Sequence, residues 1–320
     1  MSLTTLRYDK TWLTTLQRYQ GLVGLAVLLT VALAVDRAHF FTGQNLANVL
    51  NQLAVPGILA VGMTFVILTG GIDLSVGSLL GLINCISATW LVSGSGLGTT
   101  LAYSLFIGTL VGSLLGYLVS VTKLQPFVVT LAAMVSLRGL AYVYTNNGTI
   151  SGMAISQHLD FLLKPVLGIP LSAWIMLAVT LAAAITLWGT VFGRQIYALG
   201  GNPEAARYAG LPMARLRISA YAINGFCIAL AALIFTARNT NGDPSAGNGY
   251  ELDAITAVVV GGTSLVGGFG NVLGTFVGAL FIVCLNVLLI LKGVNTYVGM
   301  GWKGIIILIA VYLQNLGRRN

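Results

Sequence analysis

The sequence predicts an all-α, polytopic membrane protein with about ten transmembrane helices, built from two related halves. Three observations predict it. Of its 320 residues, 57% are hydrophobic and only 8% charged, with a mean hydropathy of +0.90, whereas soluble domains carry roughly 25% charge. Apolar runs long enough for about 30 Å of hydrocarbon recur between short polar connections. Two of these runs are broken by the same glycine-weighted pattern, VILTGGIDLSVGSLLG (66–81) and VVVGGTSLVGGFGNVLG (258–274), which points to discontinuous helices in matched halves.

Composition also excludes several function classes. Cys85, Cys227 and Cys284 sit inside apolar runs without paired spacing, and His39 and His158 fall in loops, so no disulfide framework, metal or other cofactor is expected. The net charge of +8 is scattered between apolar runs rather than gathered on one face. That suits loops beside an anionic leaflet and argues against nucleic acid.

In order, a basic tail (Arg7, Lys10, Arg18) precedes the first span, 21–35. Ala32-Leu33-Ala34 resembles a signal-peptidase site, but a retained span is preferred. The next spans are 46–69, 74–92, 101–121 and 127–144, followed by a polar loop to about 170 and a sixth span at 171–191. After a charged segment, 193–217, come a seventh span (218–237), a polar loop (238–253), and an eighth that starts near Ala254 and breaks at 261–268. Spans at 272–291 and 300–313 complete ten. With both termini inside, ten Lys/Arg fall on the cytoplasmic side, against five outside (Arg37, Lys164, Arg238, Lys292, Lys303). This satisfies the positive-inside rule.

The first break, Thr69-Gly70-Gly71-Ile72-Asp73-Leu74-Ser75, places an acid where an apolar helix should continue. Two readings stand together. Asp73 caps the next helix by accepting from the N–H of Ser75 or Val76, and the break marks a translocation path or its gate. The corresponding path residues in the second break are Gly261, Gly262, Thr263 and Ser264. Arg138 lies about twelve residues, roughly 18 Å, into its span. It must hold backbone carbonyls, snorkel or line an outer path.

Residues 202–210 read as a complete short helix. Asn202 is the N-cap, Pro203 the first helical residue, Glu204 sits at the positive end of the dipole, Ala205, Ala206 and Arg207 form the body, and Gly210 takes the left-handed C-terminal position. So short a helix needs a surface to pack on, its own protein or a cytoplasmic partner.

Three stretches together, GMTFVILTGGIDLSVGSLLGL, RQIYALGGNPEAARYAGL and GYELDAITAVVVGGTSLVGGFGNVLGTFVGAL, resemble the membrane permeases of ribose-type carbohydrate ABC importers. The resemblance spans nearly the whole chain as one permease domain, 1–320, in a bacterial inner membrane. It implies a homodimer with a central path, a cytoplasmic ATP-binding subunit, a periplasmic sugar-binding protein and a monosaccharide substrate. Residues 193–217 would be the coupling segment, with Gly200 and Gly201 through Gly210 docking on the ATPase. Arg37, Lys164 and Arg238 would face the binding protein. The chain is not expected to be an enzyme: it contains no G-x-x-x-x-G-K-[ST] with which to hold ATP. The alternative is a gradient-driven secondary transporter of a small polar solute.

Overall fold

The computed structural model describes residues 20–122, 124–294 and eight positions between 298 and 308. The helices are α1 (Gln20–Phe40), α2 (Gly43–Leu68), α3 (Val76–Val92), α4 (Leu97–Val121), α5 (Pro126–Tyr144), α6 (Met153–Leu159), α7 (Leu171–Gly189), α8 (Val191–Gly201), α9 (Pro203–Tyr208), α10 (Met213–Asn239), α11 (Tyr250–Val260) and α12 (Val272–Leu291). Seven of them, α1, α2, α4, α5, α7, α10 and α12, are long and apolar enough to cross a membrane. The chain is therefore a multi-pass helical protein. Each glycine break separates a long span from a shorter helix: α2 from the short apolar α3 at the first, and the short α11 from α12 at the second. Of the ten expected spans, nine are seen as helices. The tenth, 300–313, lies mostly outside the described residues, as do Arg7, Lys10, Arg18, Lys123, Lys303, Arg318 and Arg319.

Some boundaries differ from the sequence reading. The sixth span stops at Gly189, where Thr190 turns extended and its Oγ1 accepts from Gly193 N to start α8. The eighth span begins at Tyr250 rather than near Ala254. The 145–170 loop has structure of its own: β1 (Ile150–Ser151), α6, a 3-10 turn and the hairpin of β2 (Pro165–Val166) with β3 (Ile169–Pro170). Strand β1 pairs antiparallel with β4 (Asn241–Gly242) and ties this loop to the end of α10.

The central helix is α2. It is apolar on every side, so its whole circumference is buried from Leu53 to Leu68 except at Pro56. Long helix α10 packs beside it, while α1, α4, α5 and α7 turn side chains such as Leu33, Phe106, Val135 and Leu181 outward. Close approach is set by glycine. On α4, Gly108, Gly112 and Gly116 face Gly225, Tyr221 and Ile218 of α10. On α11 and α12, Gly261 meets Gly274, and Gly278 meets Ala257. Small residues let two backbones touch where lipid offers no hydrophobic driving force.

A Cβ on Gly225 would lie 2.1 Å from Gly108 O, whereas one on Gly139 meets nothing within 4 Å. Gly225→Ala should therefore lower stability by about 1–3 kcal/mol through overpacking. Gly139→Ala should be neutral or stabilising by up to about 1 kcal/mol. Thermal melting of the detergent-purified variants distinguishes the two sites.

Candidate functional site

Both breaks are helix endings of one type. At the first, Thr69 ends α2 and Gly70 turns left-handed at φ +78°. Gly70 N donates to Ile67 O at 2.9 Å, and Gly71 N to Val66 O at 3.1 Å. At the second, Gly262 has φ +93°, its N donates to Val259 O at 3.0 Å, and Thr263 N donates to Val258 O at 3.1 Å. This is a Schellman closure in the same register of the repeat, Gly70 matching Gly262, and it needs glycine at the left-handed position.

The chain then takes different routes. After Gly71, Thr130 Oγ1 donates to Ile72 O, and Asp73, 1% exposed, anchors the start of α3. Its Oδ1 accepts from Ser75 N (2.9 Å) and Ser75 Oγ (2.6 Å), and its Oδ2 accepts from Asn224 Nδ2 of α10 (2.8 Å). After Gly262, a tight loop closes through Ser264 N to Phe269 O. Asn271 Oδ1 then caps α12 by accepting from Gly274 N. A buried bond between the Thr64 and Thr275 hydroxyls, 2.9 Å, joins α2 to α12.

The two breaks meet, and a third segment joins them. Gly268 N donates to Leu68 O at 3.0 Å. Gly200 of α8 lies against this bond so closely that a Cβ there would sit 1.8 Å from Leu68 O and 2.5 Å from Gly268 N. Tyr197 Oη donates to Gly270 O at 2.8 Å, and burial raises the pKa of its phenol. Beside this junction is a cavity of about 420 Å³, lined among others by Thr69, Gly70, Gly71, Gly200, Arg217 and Tyr221.

Of the residues named for the path, Thr69, Gly70 and Gly71 line this cavity. Asp73, Ser75 and Thr263 are enclosed by protein. The Ser264 hydroxyl accepts from Val266 N within its own loop, and Gly261 is pressed on Gly274. Sequence reasoning missed Asn224, the partner of Asp73. The available signal was an amide inside an apolar run, which at membrane depth asks for a buried partner.

Helix α9 hangs from the junction through α8. Asn202 Oδ1 accepts from Ala205 N at 3.0 Å, and Pro203 and Glu204 occupy the first turn. At the other end Gly210, φ +74°, donates to Arg207 O, and Leu211 N donates to Ala206 O. Only the Ala206 side chain is buried. Pro203, Glu204, Ala205 and Arg207 are exposed, and Tyr208 is 85% exposed. The helix is capped at both ends yet leaves its outer face open.

At the opposite end of the bundle, Arg37 and Lys164 are exposed. Arg238 is partly engaged: its guanidinium lies 5.7 Å from the Phe235 ring centroid, and Nη2 donates to Tyr250 Oη. Arg138 holds backbone carbonyls, its Nη1 donating to Pro244 O (2.6 Å) and Ala246 O (2.7 Å).

Apolar spans, paired helix breaks and a capped surface helix define a helical membrane permease. The family model described as "Branched-chain amino acid transport system / permease component" matches residues 45–311. The chain is 42% identical over 312 residues, 96% of both chains, to the ribose import permease protein RbsC of Escherichia coli (strain K12). It is 41% identical over 300 residues, 93% of both chains, to the protein of the same name in Bacillus subtilis (strain 168). To the xylose transport system permease protein XylH of Escherichia coli (strain K12) it is 34% identical over 358 aligned positions, 92% of this chain and 90% of the relative. No solved structure matches it. The chain belongs to this permease family, in agreement with the resemblance carried by its motifs.

Asn224→Ala should cost about 1–3 kcal/mol, since it strips Asp73 Oδ2 of its buried donor. Asp73→Asn, which keeps an acceptor for Ser75, should cost less. Melting temperatures of the two variants check this order.

Proposed function

We propose that the chain is the membrane-spanning subunit of an ATP-driven monosaccharide importer, acting as a pair of copies in a bacterial inner membrane. It receives sugar from a periplasmic binding protein and releases it to the cytoplasm, while ATP is hydrolysed on a separate cytoplasmic subunit. The observation that carries this reading is α9. A six-residue helix fixed by a cap at each end, with only Ala206 buried, is a rigid projection that lacks its other half. A cleft on the ATPase supplies that half.

The end that bears α9 is the cytoplasmic one. With the two tails, ten lysines and arginines belong to that side and five to the other. Movement of α9 reaches the membrane through α8, whose Gly200 touches both Leu68 O and Gly268 N. Backbone-to-backbone contact leaves no flexible side chain to absorb the displacement, so a shift of α9 moves both breaks together. Thr69, Gly70 and Gly71 then form the cytoplasmic gate, and Asp73 keeps α3 in register with α10 as they move. Thr263 and Ser264 hold the loop of the second break. Arg37, Lys164 and, in part, Arg238 offer cations to a binding protein. Ribose leads as substrate, because the ribose permeases are 42% and 41% identical to this chain and the xylose permease 34%.

The test is reconstitution of the chain with its ATPase and binding protein. Glu204→Arg and Tyr208→Ala alter only exposed side chains. Each should cut ATPase capture and ribose uptake at least about tenfold, as expected of an interface anchor. Full capture and full uptake by both variants, or concentrative uptake by the chain alone under an ion gradient, would overturn the reading.

A further inference from the structure

The connection from α10 to α11, an outer loop by sequence, does not stay at the end of the bundle. It descends along α3. Gly242 lies against Ala88 and Cys85. Asn84 clamps the next turn of chain, its Nδ2 donating to Asn241 O (2.8 Å) and its Oδ1 accepting from Asp243 N (2.8 Å). Arg138 holds Pro244 O and Ala246 O from α5. Gly247 then reaches Gly77, where a Cβ would sit 2.1 Å from Gly247 O. From Ala88 to Gly77 is about 16 Å of helix at 1.5 Å per residue, half of a hydrocarbon core of about 30 Å.

Non-helical backbone at that depth persists only where protein covers it or water reaches it. Here one irregular segment, a short strand (Asn241–Gly242) followed by turns closed by Ala246 N to Asp243 O (3.0 Å) and Tyr250 N to Gly247 O (3.1 Å), meets the two conditions on its two sides. Gly242, Pro244, Ala246 and Gly247 are buried, while the intervening Asn241, Asp243 and Ser245 are partly open and Asn248 is exposed. Two amides, a carboxylate and a hydroxyl do not belong against lipid. Asp243 Oδ1 accepts from Ser245 N and Oγ, both at 2.8 Å. Its Oδ2 makes no hydrogen bond among the described residues and is left as an acceptor. Carboxylate and amide groups spaced along this run of turns match the donor and acceptor hydroxyls of a sugar.

We infer that residues 241–248 form a sugar-facing rail in the outer half of the path, with Asp243 and Asn248 hydrogen-bonding the monosaccharide as it passes. The inference rests on the importer reading for its ligand, but its geometry can be tested separately.

The native cysteines are buried, so single cysteines can report on water. Asn248→Cys and Asn241→Cys should react with a charged, membrane-impermeant methanethiosulfonate added from outside. The rate should be at least about tenfold that of Val135→Cys, an apolar site in the middle of α5 that is 65% exposed and, at the centre of a span, suited to lipid rather than water. Equal, slow labelling at all three would overturn the rail, placing this face against lipid or a second copy. In the assembled importer, Asp243→Asn, which keeps the turn acceptor, and Asn248→Ala should each lower ribose uptake about tenfold, as loss of a substrate hydrogen bond does. ATP hydrolysis stimulated by the ribose-loaded binding protein should stay unchanged. Unaltered uptake in both variants would overturn the sugar contact. If the native assembly moves no sugar at all, the importer reading fails, and the labelling still decides whether the rail is wet.

Discussion

The architecture depends on one backbone hydrogen bond, Gly268 N to Leu68 O, and on the absence of side chains around it. An apolar helix that ends inside a bilayer exposes carbonyls that lipid cannot satisfy. Leu68 is the last residue of α2, and its carbonyl takes a donor from 200 residues further along the chain. Gly200 and Gly267 come to the same point, and a methyl group on either would collide with backbone. The glycines of this junction thus do two separate things. Gly70 and Gly262 turn left-handed to end their helices, and Gly200 lets a third segment reach those ends.

Two polar devices, one at the first helix break and one beside the middle of α3, repeat this logic with side chains. In Asp73-Leu74-Ser75 and in Asp243-Pro244-Ser245, an aspartate Oδ1 accepts from the N–H and the hydroxyl of the serine two residues on. Each turn is then held by an asparagine in the middle of a neighbouring apolar helix, Asn224 on α10 for the first and Asn84 on α3 for the second. A buried amide is costly without partners. Asn84 uses both its Nδ2 and its Oδ1 to fix irregular chain against regular helix, while Asn224 does so through its Nδ2 and its buried Oδ1 has no hydrogen-bond partner among the described residues. Irregular backbone at membrane depth is therefore anchored at both places.

Much of this was legible locally. The caps of α9, Asn202 at one end and Gly210 at the other, are legible in the sequence, because capping depends on residues within one turn. The breaks at Gly70-Gly71 and Gly261-Gly262 are legible in the same way, but the match of Gly70 to Gly262, one residue off the pairing of the two Gly-Gly steps, is set by the backbone bonds of the structure. Arg138 was reduced to a few readings, and it takes the one in which it holds backbone carbonyls. Less legible were the path nominations. Thr69 and Thr263 look alike in sequence, yet one lines a cavity and the other is enclosed.

The sequence by itself determined the class of fold, the order of the nine spans seen among the described residues, the two helix breaks, the small surface helix and the permease family. All of these follow from composition, hydrophobic run length and capping, which act over neighbouring residues, or from motifs that are contiguous in the chain. Only the tertiary structure decided that the breaks meet at Leu68 and Gly268, that Asn224 answers Asp73, and that 241–249 descends along α3 instead of lying outside. Those outcomes join residues 150 or more positions apart. A polar stretch has the same composition in bulk water and in a wet path through a membrane, so pattern cannot separate the two. Packing does, because Gly77, Gly81 and Gly242 leave room for an irregular chain beside a helix, and Asn84 and Arg138 supply the donors and acceptors that hold it there.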